Sequence, residues 1–123
     1  MKMTQDFGSG SYLITGYGAG MVRINETRHT TSLIVTPEGV DTGWPPERFD
    51  DLDLACFRSL LEDPPEIVIL GTGATLRFPP RDILAAFRSR SIGFEVMDTG
   101  AACRTYNIVM AEGRPVAAAL LMI

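Results

Sequence analysis

Glu66-Ile67-Val68-Ile69-Leu70-Gly71-Thr72-Gly73, then Pro79 to Arg90, then Ile92-Gly93-Phe94-Glu95-Val96-Met97-Asp98, is the stretch that decides the fold class. It reads as strand, glycine turn, helix, strand. Ile67 to Leu70 is a continuous apolar run rich in β-branched residues and too short for a helix, which suits a strand buried on both faces. Between Pro79 and Arg90, Ile83, Leu84 and Phe87 share one helical face, and Arg88 and Arg90 sit where cations suit the helix dipole. Phe94 to Met97 is the second apolar run. Together they form a βαβ unit with a right-handed crossover, and the chain is an α/β protein.

Composition sets the outer limits. The 123 residues suffice for one domain with a real core. Apolar residues make up 46% and charged residues 21%, a globular rather than a disordered balance. The net charge of -4 runs against nucleic acid and anionic lipid, both of which need a positive field. No apolar stretch approaches the roughly 18 residues of a membrane span. Met1 to Ser11 is polar, lacks the apolar segment of a signal peptide and is expected to be a flexible arm ahead of a single domain over 12–123. A cytoplasmic location follows as an expectation. Cys56 and Cys103 lie far apart without a CxxC partner, and His29 is the sole histidine. Three scattered Cys and His residues fall short of a structural zinc set, so neither a metal nor another cofactor is expected.

Outward from the central unit, Tyr12 to Gly20 carries glycines at 16, 18 and 20. The segment reads as a bent connection between strands, and a strand follows it, so the spacing is not a dinucleotide fingerprint. Met21 to Asn25 alternates like a half-exposed strand, and Glu26 to Thr30 reads as a polar link holding a surface His29. Thr31 to Thr36 is a strand, Pro37-Glu38-Gly39 a turn with glycine free to take positive φ, and Val40 to Thr42 the return of a hairpin. Asp50, Asp51 and Asp53 precede an amphipathic helical stretch with Leu54, Phe57, Leu60 and Leu61. They are explained as caps and first-turn acids rather than a metal cluster. Asp98 or Thr99 caps a helix running to about Glu112, with Ala102, Tyr106, Val109 and Met110 as its apolar stripe. Gly113 and Pro115 end it. Val116 to Ile123 is the last strand.

Two sets of residues are candidates for function. Gly71, Thr72 and Gly73 follow the carboxyl end of a buried strand, where backbone amides can cradle an anion and where open α/β sheets gather ligands. Asp98, Cys103 and Arg104 follow the next strand, and a helix N-terminus beside Arg104 could activate the Cys103 thiol. A small-ligand site or enzyme there requires a concavity and a partly exposed Cys103. No histidine base, GxSxG elbow or credible carboxylate pair accompanies it, so no catalytic residues are assigned. The second set lies on two proline-stiffened loops, Gly43 to Phe49 and Arg77 to Arg81. Trp44, Arg48, Arg77, Phe78 and Arg81 there are candidate anchors for a protein partner, with a packed Trp44 as the alternative reading.

Val68-Ile69-Leu70-Gly71-Thr72-Gly73, Arg77-Phe78-Pro79 and Gly93 through Asn107, with its Met97-Asp98-Thr99 and Thr105-Tyr106-Asn107 motifs, resemble the domain-of-unknown-function 498 family. Its eukaryotic members include the mitochondrial complex I assembly factor 3 and an adipogenesis-associated cytoplasmic protein. The likeness runs from about Tyr12 to Leu120 and is sharpest in the second half. It implies a three-layer α/β fold: a central mixed sheet, helices on one face, and a hairpin plus helix on the other. The last strand is expected antiparallel to its neighbours. The resemblance also implies a non-catalytic interaction module that assists assembly of respiratory complex I (NADH:quinone oxidoreductase), with complex I subunits or assembly proteins as partners. No mitochondrial presequence is expected, as for a bacterial protein.

Overall fold

The computed structural model describes residues 12–123; the expected arm over Met1 to Ser11 lies outside the described residues. The chain forms β1 (Ile14–Gly18), β2 (Met21–Ile24), β3 (Thr27–His29), β4 (Leu33–Thr36), β5 (Gly39–Asp41), α1 (Arg58–Glu62), β6 (Ile67–Gly71), α2 (Arg81–Ser89), β7 (Gly93–Met97), α3 (Thr99–Ala111) and β8 (Val116–Leu120). Two 3-10 turns, Phe49–Asp51 and Leu54–Phe57, lead into α1. Asp53 caps the second by accepting from Cys56 N–H at 3.1 Å, and Asp51 accepts from Arg48 N–H at 3.2 Å, which are the capping roles expected of these acids.

A five-stranded sheet in the order β5-β4-β8-β6-β7 is the centre, and β1-β2-β3 form a separate antiparallel sheet. β6 and β7 pair in parallel, Ile67 opposite Gly93 through Gly71 opposite Met97, so the βαβ unit is present as read. The last strand departs from expectation. β8 is antiparallel to β4 but parallel to β6. The helical crossover α3 carries the chain back to the end where β6 began, and a strand entered that way runs parallel to its neighbour. Ala117, Ala118 and Ala119 are fully buried in this central strand. Their small side chains let layers close on both of its faces.

The direction of the two crossovers sets the layers. From β6 the chain steps outward to β7; from β7 it steps back across β6 to β8. Right-handed crossovers running in opposite directions put their helices on opposite faces. One core holds Phe57, Leu60, Ile83 and Phe87 against Val68, Leu70, Ala117 and Ala119 of the sheet. The other holds Ala102, Cys103, Tyr106 and Val109 of α3, with Ile14, Val22 and Ile24 of the small sheet, against Ile69 and Ala118. The three layers are therefore α1 and α2, the mixed sheet, then α3 with a meander of three strands where a hairpin was expected.

That third layer corrects two local readings. The glycine-bearing segment is strand β1 rather than a bent connection. Its register slips between Ile14 and Gly16, and only Gly20, at φ 70°, needs the freedom of glycine. Ladder bonds to β2 outweigh the poor strand propensity of Gly16 and Gly18. The supposed link after Asn25 contains β3, reached through Asn25 at φ 53°, with a half-buried His29 opposite Val22. Similarly, Gly39 is the first residue of β5, opposite Thr36, and its φ is not positive.

Candidate functional site

Where β6 and β7 end, their connections leave toward opposite faces of the sheet, which is where ligands settle in open α/β folds. Here the protein's own side chains fill that position. Thr72 N–H donates to the Met97 carbonyl at 2.9 Å, and Gly73 N–H donates to Thr99 Oγ1 at 2.8 Å. Thr99 Oγ1 in turn donates to the Leu121 carbonyl at 2.6 Å. Thr72 Oγ1 donates to the Thr75 carbonyl at 2.6 Å and accepts from Arg77 N–H at 3.2 Å. A Cβ on Gly71 would stand 2.9 Å from Thr99 Oγ1 and 3.0 Å from its Cα. Glycine is required at 71 because α3 begins directly against it. The Thr72 and Gly73 amides thus hold the chain together, which is the tight exit turn rather than the candidate anion cradle.

Asp98 is the cap of α3, its Oδ1 accepting from Ala101 N–H at 2.9 Å. Cys103 is 1% exposed, which corrects the partial exposure that a nucleophile there needs. Burial pushes its thiol from an ordinary 9.0 up to about 12, outweighing the downward pull of Arg104. Arg104 turns the other way, to the surface, where its guanidinium meets the Tyr17 hydroxyl and lies 5.8 Å from that ring's centroid. Consecutive helical residues point about 100° apart, so sequence neighbours need not share surroundings. In the folded protein Cys103 is expected to resist a thiol reagent that modifies half-buried Cys56; modification of both at equal rates would contradict this. Because the folded thiol titrates higher than the unfolded one, its contribution to stability is intact below about pH 9 and is lost toward pH 12. Cys103→Ala should flatten that alkaline decline in a denaturation series.

Tyr106 and Asn107 of the Thr105-Tyr106-Asn107 motif also make structural contacts. Tyr106 Oη donates to the Tyr12 carbonyl at 2.7 Å. Asn107 accepts from Ile14 N–H at 3.0 Å and donates to the Ile14 carbonyl at 2.7 Å. Its amide replaces a strand partner where the β1 register slips, tying the small sheet to α3. Two successive hydrogen-bonding side chains on α3 were the available signal; their partners at Tyr12 and Ile14 were not legible.

The two proline-stiffened loops, by contrast, meet. Arg77 lies 4.1 Å over the Phe49 ring centroid and pairs with Asp50 at 3.3 Å. Phe78 is 70% exposed beside Leu76 at 50%, with Arg48 and Arg81 also exposed. Trp44 does not join them. It is buried against Phe57, and its Nε1–H donates to the Cys56 carbonyl at 2.8 Å. As an anchor for a partner it is therefore excluded; it supports the loop from beneath, because a large apolar ring with one donor is best satisfied in the core. Leu76, which sequence reasoning missed, adds to the exposed patch.

The family model described as protein of unknown function (DUF498/DUF598) matches residues 14–121. The chain belongs to the DUF498/DUF598 family. Among relatives of this DUF498 protein, an uncharacterised protein of Rhodobacter capsulatus is 34% identical over 92% of this chain and 86% of its own length. NADH dehydrogenase [ubiquinone] 1 alpha subcomplex assembly factor 3 of Bos taurus is 35% identical over 88% of this chain. The match spans 59% of the bovine protein's length. A crystal structure of a Bordetella parapertussis protein superposes with a TM-score of 0.84 at 34% identity, covering 94% of this chain and 98% of that one. Among the described residues of the DUF498 chain, no helix is long and apolar enough to cross a membrane.

Proposed function

We propose that this DUF498 protein is a non-catalytic interaction module that assists assembly of respiratory complex I, acting in the cytoplasm through the joined loops around Phe78. The observation that carries the reading is a phenylalanine 70% exposed on a loop held rigid by Pro79, by Arg77 stacked on Phe49 and by the Asp50 ion pair. An exposed aromatic pre-ordered among arginines loses little freedom on docking and has the composition of a binding hot spot. The likeness to the bovine assembly factor supports complex I subunits or assembly proteins as the partner class. The alternative, a small-ligand site or enzyme at Gly71 and Asp98, is disfavoured by the internal use of the turn amides and by the buried Cys103.

Affinity capture from cell extract with mass spectrometry tests the proposal. The wild-type chain is expected to recover complex I subunits or assembly proteins, and Phe78→Asp or Arg77→Glu to lose them by roughly tenfold or more, the scale of a hot-spot anchor. Recovery of no such protein, or equal recovery by the variants, would overturn it.

A further inference from the structure

A broad concavity lies at the other end of the parallel strands, away from the Phe78 loop. It is an open groove of about 800 Å³ where the two faces of the sheet part, bounded by the β4–β5 turn, the loop after α1 and the loop between α3 and β8. Pro64, Pro65 and Pro115 form much of its wall, and Met110 and Val116 lie at its base. Glu38 and Asp63 stand on its rim, both exposed. Neither carboxylate has a cationic partner among the described residues. Arg114, the groove's one cation among the described residues, is already engaged by Glu66 at 2.6 Å and Glu112 at 3.8 Å. The groove consequently keeps a negative field in a chain of net charge -4.

A second concavity of about 310 Å³ adjoins the first, sharing Thr36 and Glu38 and adding Asp41 to the rim. Two open hollows meeting at one carboxylate suit an extended chain better than an enclosed metabolite. Proline walls also lose no side-chain freedom when covered. We propose that this groove docks an extended basic segment of a partner protein, an arginine or lysine neutralising Glu38 and Asp63 while a neighbouring apolar side chain packs on the prolines. The carboxylates supply charge complementarity and orientation, and the proline wall supplies apolar contact. The groove and the Phe78 loop share no residue, so this docking stands or falls apart from the assembly role.

Fluorescence anisotropy with a labelled peptide of alternating arginine and leucine provides the test, read with the intact chain at low and physiological salt. Saturable binding is expected, weakening with salt as exposed charge pairs are screened. Glu38→Lys with Asp63→Lys should weaken it by roughly tenfold or more, since reversal adds repulsion to the lost attraction. Both residues are exposed, so an unchanged melting temperature confirms that the double variant folds. Arg28→Ala on the exposed strand β3, which borders neither hollow, should leave binding unchanged. Backbone amide shifts on titration should centre on Met110, Gly113, Val116 and Ala117. Absence of saturable binding, equal affinity of the double variant, or shifts centred on the Phe78 loop would each overturn the proposal.

Discussion

Thr99→Val is expected to lower the unfolding free energy by about 2–5 kcal/mol, the scale of leaving two buried polar groups unpaired. Thr99 is fully buried, and its hydroxyl is the shared partner of Gly73 N–H and the Leu121 carbonyl. Valine keeps the shape and removes the oxygen, so both backbone groups would stay buried without a partner. In a domain whose whole stability is about 5–15 kcal/mol, that is a large fraction. Urea titration should show a lower midpoint at unchanged slope. Thr99→Ser, which keeps the oxygen, should cost far less. Equal losses from the two variants would mean that packing, not the hydroxyl, matters at this position.

Phe57→Ala should cost about 3–5 kcal/mol, as for other large aromatic truncations in closed cores. The Phe57 ring is fully buried and meets Trp44 and Phe87 edge-on at 5.8 Å each and Phe94 at 6.0 Å. Removing it opens a cavity among three rings that cannot all move in to fill it. Trp44 is the sole tryptophan, so its emission should shift to longer wavelength in the folded variant as the ring loses its apolar neighbour. A loss under about 1.5 kcal/mol, the scale of a volume-conserving swap, would show that the cluster repacks around the gap.

Much of the fold was legible where the signal is local. The Ile67 to Leu70 run, the α2 stripe and the Asp53 and Asp98 caps depend on residues within a few positions of one another, and each is found where it was expected. The strand made by Gly16 and Gly18 was not legible, because its stability comes from β2 across the ladder rather than from its own residues. The direction of β8 was likewise decided by the path of α3, and β3 by a turn at Asn25. At the candidate sites, residue types were visible but their orientation was not. Arg77 and Phe78 proved to be surface groups, whereas Trp44 and Cys103 proved to be core.

Taken alone, the order of residues determined an α/β chain, a βαβ unit, its helix caps and a family likeness, since these rest on short-range periodicity and on motifs in series. Tertiary packing alone decided that threonine hydroxyls occupy the strand-end crevice, that Asn107 stitches β1 to α3, and that an acidic rim meets a proline wall at the far end of the sheet. The physical reason is that periodicity tells which side chains share a face, whereas the layer covering that face comes from residues dozens of positions away.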